Sequence, residues 1–73
     1  MTKEEREWKI LFRRRLKNML YERNITQLEL AKRSGIDQSR ISKYCLGKKI
    51  PTIYTAVRIA KALNCSLEDL CGI

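Results

Sequence analysis

Apolar residues recur at spacings of three and four along nearly the whole chain, and one Pro and three Gly leave few places for a helix to stop. No stretch alternates with the two-residue period of a strand, and no repeat, linker or low-complexity segment breaks the pattern. The expected fold class is therefore all-α. At 73 residues the chain is one domain, 1–73, with residues 1–11 read as an N-terminal extension of the first helix. A chain of this length buries only about 60% of the surface exposed on unfolding, which argues against a deep catalytic cleft.

Punctuation divides the pattern into five helices. Trp8, Phe12, Leu16, Met19 and Leu20 form the apolar stripe of a first helix, with Arg13, Arg14, Lys17 and Arg23 around it, and Asn24 ends it. Thr26 and Glu29 read as a capping box opening a second helix, in which Leu28, Leu30 and Ala31 are the apolar or small positions. Gly35 stops that helix, because glycine takes the left-handed conformation without a Cβ penalty. Asp37 reads as the N-cap of a short, polar third helix from Gln38 to Leu46, in which Ile41, Tyr44 and Cys45 are the core side and Gly47 the stop. Thr52 caps a fourth helix with an apolar face of Ile53, Ala56, Val57, Ile59, Ala60 and Leu63, and Ser66 opens a last one holding Leu67 and Leu70.

Charge narrows the function. The net charge is +8, and it is uneven: residues 1–23 carry eight positives and four negatives, residues 24–51 six and two, residues 52–73 two and two. Two thirds of the chain suits a polyanion, and the neutral end suits something else. The chain has no His, which removes imidazole-dependent nucleophile arrangements and the common zinc sites that use imidazole. Its one carboxylate cluster, Glu4, Glu5 and Glu7, falls on a solvated first turn. No catalytic residue, cofactor or metal is expected. Cys45, Cys65 and Cys71 form neither a CxxC pair nor an even set and read as small buried groups. With no secretory leader and no apolar stretch of about 20 residues, the expected setting is cytoplasmic, without membrane contact.

Two helices joined by a tight glycine turn, the second polar on its outer side, meet the physical requirement for placing a helix in a DNA major groove. The run Gln27-Leu-Glu-Leu-Ala-Lys-Arg-Ser-Gly-Ile-Asp-Gln-Ser-Arg-Ile-Ser-Lys-Tyr44, followed by Gly47-Lys-Lys-Ile-Pro51 and Ile59-Ala-Lys-Ala-Leu63, closely resembles the phage Cro/repressor-type helix-turn-helix (XRE) family. The likeness runs from residue 12 to residue 71 and implies a compact five-helix domain with the helix-turn-helix formed by helices 2 and 3. It also implies roles. Gln38, Ser39 and Lys43 fall where the family contacts base edges, and Arg40 suits a base or a phosphate. Thr26 and Gln27 fall at the family's phosphate-gripping helix start, and Lys48 and Lys49 in its backbone-contacting loop. Taken as residues alone, Gln38 and Ser39 also suit an ordinary polar first turn, and Lys48 and Lys49 a solvated loop. Arg13 to Arg15 fit a solvated face as well as a phosphate contact.

Three positions depart from the family pattern. An Arg and Glu that form an ion pair in many members correspond here to Leu20 and Cys45, which are expected to meet in the core. Ser34 replaces an apolar residue and should weaken packing between the second and third helices, and the first helix starts early, leaving Trp8, Ile10 and Leu11 beyond the core stripe.

The implied function is a sequence-specific double-stranded DNA-binding transcriptional regulator, a small repressor or operon controller of phage or mobile-element type. One short helix reads few bases, so a homodimer on a twofold-repeated operator is expected. The neutral end supplies the candidate dimer residues Ile50, Ile53, Tyr54, Leu67, Leu70 and Ile73, with the alternative that Leu67 and Leu70 close the core. Trp8 and Leu11 offer a rival surface. A reading from another class is a helical adaptor whose basic face binds an acidic protein or an anionic membrane.

Overall fold

The computed structural model describes residues 2–71. Its elements are α1 (Lys3–Glu22), α2 (Gln27–Ser34), α3 (Gln38–Cys45), α4 (Ile53–Ala62) and α5 (Leu67–Cys71), and the described residues contain no strand. The helices begin and end through local chemistry. α1 starts at a capping box that sequence reading missed: the Thr2 hydroxyl accepts from the Glu5 N–H (3.1 Å), while the Thr2 N–H reaches back to the Glu5 carboxylate (3.5 Å). At its other end Asn24 takes a positive φ of 56°, and the Ile25 N–H returns to the Leu20 carbonyl (2.9 Å), closing the open carbonyls in a Schellman turn. α4 ends the same way through Asn64, with the Cys65 N–H on the Ala60 carbonyl (3.0 Å).

Thr26 and Thr52 cap α2 and α4, their hydroxyls accepting from the N–H groups of Glu29 (3.1 Å) and Thr55 (3.2 Å). Two expected caps are different. Glu29 reaches the Thr26 hydroxyl (3.4 Å) rather than its backbone N–H, because its carboxylate is drawn toward Arg33 one turn on, at 3.8 Å. Asp37 precedes α3 without a side-chain capping bond, since its backbone (φ −55°, ψ 138°) departs from the more extended conformation of the three threonine caps.

One core joins all five helices. It consists of Phe12, Leu16 and Leu20 of α1, Leu30 and Ala31 of α2, Ile36 of the turn, Ile41, Tyr44 and Cys45 of α3, Ala56, Ile59, Ala60 and Leu63 along and just beyond α4, and Leu70 and Cys71 of α5. Each fully buried Leu, Ile or Phe contributes about 1.5–3 kcal/mol of transfer free energy. Leu20 and Cys45, the pair expected to meet, are both buried in this core, where α1 packs against α3. Trp8 stacks on Phe12 (5.4 Å between centroids), which meets Tyr44 edge-on (6.4 Å), so the first turns of α1 are tied to the third helix by an aromatic row.

Periodicity overstated two faces. Leu28 is 46% exposed and Ile53 70% exposed, because the core covers only the inner sides of α2 and α4. The weakening expected of Ser34 is offset by hydrogen bonding: its buried hydroxyl donates to the Leu30 carbonyl (2.7 Å) and accepts from the Ile36 N–H (3.3 Å), fastening the turn that follows.

Candidate nucleic-acid interface

The candidate reading element is α3, whose two sides are chemically opposite. At about 100° per residue, Ile41, Tyr44 and Cys45 share one side and Gln38, Ser39, Ser42 and Lys43 the other. The first three are buried; Gln38, Ser39 and Lys43 are exposed. The three base-reading candidates therefore lie together on one solvent face. The turn that sets this helix against α2 is narrow: Gly35 has φ 72°, Ile36 plugs into the core, and a Cβ at Gly35 would collide with the Arg58 guanidinium.

Arg40 stands apart from that face. Its guanidinium donates to the Tyr44 hydroxyl (3.3 Å) and to the Thr55 hydroxyl (3.5 Å), which directs it toward the start of α4. Lys48 and Lys49 are exposed just beyond Gly47, which closes α3 with φ 73° and lets the Lys48 N–H return to the Lys43 carbonyl (2.9 Å). Thr26 is exposed and Gln27 half-buried at the start of α2, where unpaired backbone donors favour an anion.

The basic run of α1 divides. Arg13 packs beside Gly47, at the α3–α4 turn. Arg15 points the other way and donates to the Asp69 carbonyl in α5 (3.1 Å). Two more arginines do comparable work. Arg58 of α4 donates to the Ser34 carbonyl at the end of α2 (2.6 Å) while lying over the Tyr54 ring (5.6 Å to its centroid), and Arg23 donates to the Leu63 carbonyl at the end of α4. Cations at these carbonyls also complement the negative ends of the helix dipoles. Sequence reading missed all three contacts, because each joins a side chain to the backbone of a helix remote in sequence.

The dimer candidates do not form one surface. Leu70 is 0% exposed and closes the core, because α5 turns it inward against α1 and α4; it is removed from the docking set. Leu67 is half-buried and packed against that core, and Ile73 lies outside the described residues. Ile53 and Tyr54 remain open, at 70% and 68%. Ile50 and Ile53 line one side of an apolar groove of about 340 Å³, and Trp8 of the α1 extension lines it as well. Trp8 of the rival surface thus borders the same groove as Ile50 and Ile53.

Comparison with known proteins places the fold and the family. The helix-turn-helix family HTH_3 matches residues 14–70. The chain is 40% identical over 58 residues to the cryptic phage CTXphi transcriptional repressor RstR of Vibrio cholerae serotype O1, a match covering 80% of this chain and 52% of that protein. It thus spans about half the length of that relative. It is 38% identical over 58 residues to an uncharacterized HTH-type transcriptional regulator of Archaeoglobus fulgidus, covering 80% of this chain and 82% of that one. A crystal structure of an HTH_3 family transcriptional regulator from Vibrio cholerae shares the fold, with a TM-score of 0.87 and 24% identity over 90% of this chain and 37% of that one. With an all-α fold, a glycine turn between α2 and α3 and a family match over most of its length, the chain belongs to the helix-turn-helix family and is a DNA-binding domain of the Cro/repressor type.

Proposed function

We propose that this chain is a sequence-specific regulator of transcription that lays α3 in the major groove of double-stranded DNA and works as a homodimer. The observation that carries the reading is the solvent face of α3, where Gln38, Ser39 and Lys43 stand together while the opposite side is locked into the core. Gln pairs bidentately with adenine, Lys donates to guanine, and Ser accepts several bases. Thr26, Gln27, Lys48 and Lys49 hold backbone phosphates around them, with Arg40 joining the Lys48-Lys49 side. The 40% identity to a phage repressor supports a repressor or operon controller of phage or mobile-element type. Residues 1–73 act as one cytoplasmic domain, with 1–11 extending α1, and regulation is by occupancy of the site rather than by catalysis.

The dimer surface centres on Ile53 and Tyr54 and the groove beside them, with Ile50 at its edge. Two copies joined there place their reading helices on half-sites about 34 Å apart along one face of the duplex. Selection of bound duplexes from a random pool tests the whole reading. A twofold-repeated motif is the expected result. Failure to enrich any sequence overturns DNA reading, and an enriched motif without repetition overturns the dimer.

A further inference from the structure

The basic side chains sort by whether they already have a partner. Arg15, Arg23 and Arg58 donate to carbonyls, Arg40 to hydroxyls, and Arg33 pairs with Glu29. Lys9, Arg13 and Lys17 have neither a hydrogen bond nor an ion pair among the described residues. These three recur every fourth residue on α1, so they form a single stripe about 12 Å long. No Asp or Glu lies three or four residues from Arg13 or Lys17, and like charges at this spacing weaken a helix. Arg13 and Lys17 therefore load α1 with repulsion and make no compensating bond among the described residues, while Lys9 at the outer end of the stripe has Glu5 one turn before it.

Its position indicates a partner. Arg13 packs against Gly47, the residue before Lys48, and with Arg14, Lys17 and Asn18 it lines a shallow cleft of about 320 Å³. Lys17 lies close enough to Cys45, in the last turn of α3, to act on its thiol electrostatically. The middle of the stripe thus meets the end of α3 at Gly47, where the Lys48-Lys49 loop begins. We infer that Lys9, Arg13 and Lys17 form a second phosphate track, holding the DNA backbone beyond the contacts made by α2 and the α3–α4 loop. This inference rests on the DNA-reading function proposed above. A polyanion with evenly spaced charge satisfies the stripe, and continuity with Lys48 and Lys49 makes it the duplex α3 reads rather than a separate acidic partner.

The test is the salt dependence of binding to a duplex selected from a random pool. Each neutralised phosphate contributes about 0.9 to the slope of log K against log salt. The double variant Arg13→Gln/Lys17→Gln keeps helix-forming side chains and should lower the slope by about 2, binding about thirtyfold more weakly at 0.15 M salt and converging with the wild type near 1 M. Lys32→Gln/Lys61→Gln removes the same charge from exposed positions on α2 and α4 and should change the slope much less. If the wild type prefers the selected duplex to a scrambled one, yet the stripe variant keeps its slope or the control loses as much, the phosphate track is overturned. If the wild type shows no preference, the DNA-reading function itself fails.

Discussion

Replacing Arg58 with Met should loosen the turn between α2 and α3. The Arg58 guanidinium supplies a donor to the Ser34 carbonyl, one of the carbonyls that the end of α2 leaves without an intrahelical partner, at a residue that is buried. Methionine keeps the aliphatic stem and removes that donor. Leaving a buried acceptor unsatisfied costs about 1–3 kcal/mol. The same substitution removes the cation from the exposed Tyr54 ring, worth about 0.5–1 kcal/mol. The middle of each range gives a loss of about 2–3 kcal/mol. For a domain of this size that is a fall in Tm of about 8–24 °C. Urea and thermal unfolding measure it directly, and Tyr54→Leu separates the ring from the carbonyl, with about 0.5–1 kcal/mol expected for the ring alone. A loss below about 0.5 kcal/mol for Arg58→Met, the level of an ordinary surface substitution, refutes the assignment of Arg58 as the clasp of the turn.

The other expectations concern the reading face, the dimer and the thiols. Gln38→Ala should cost about 1–3 kcal/mol on the selected duplex and relax preference at one base pair, whereas Lys48→Ala should weaken all duplexes alike; equal losses on selected and scrambled DNA for both variants would remove the base-reading assignment. Ile53→Asp should abolish self-association in analytical ultracentrifugation while changing monomer stability by no more than about 0.5 kcal/mol, since the side chain is largely exposed; an unchanged dimer moves the interface elsewhere. Burial pushes the Cys45, Cys65 and Cys71 thiols up, with nearby Lys17 opposing it at Cys45 and Arg23 at Cys65. The thiols' contribution to stability should therefore be level below about pH 8.5 and fall above it, because the unfolded thiols ionise first. Cys45→Ala should flatten part of that fall.

What was legible in the sequence was the chemistry that acts between near neighbours. Thr26 and Thr52 mark helix starts because a hydroxyl next to a helix start has nearby N–H groups to accept from, and Gly35 and Gly47 mark ends because both take positive φ. Tyr44 and Ile41 were legible as core from spacing. Spacing could not show how far the core extends around each helix, which is why it left open whether Leu70 closes the core or docks a partner, and counted Ile53 on the apolar face although it is exposed. Asp37 failed as a cap because the residue type permits the bond and the backbone angle decides it. At the interface the outer residues of α3 followed from register. The inward turn of Arg40 did not, since Thr55 comes near it only when α3 and α4 fold together.

The arginines that clasp α2, α4 and α5 choose neutral acceptors. A guanidinium bonded to a carboxylate has its charge cancelled; one bonded to a peptide carbonyl keeps nearly all of it. Arg15, Arg23 and Arg58 thus hold helices in place and still contribute fully to the field around the molecule. The domain carries the net +8 of its sequence, and that surplus strains the compact state through self-repulsion. A duplex relieves the strain as it binds. Added polyanion should therefore raise the melting temperature as well as occupy the site, and encounter with DNA should be fastest, and this domain least stable alone, in the same low-salt solution.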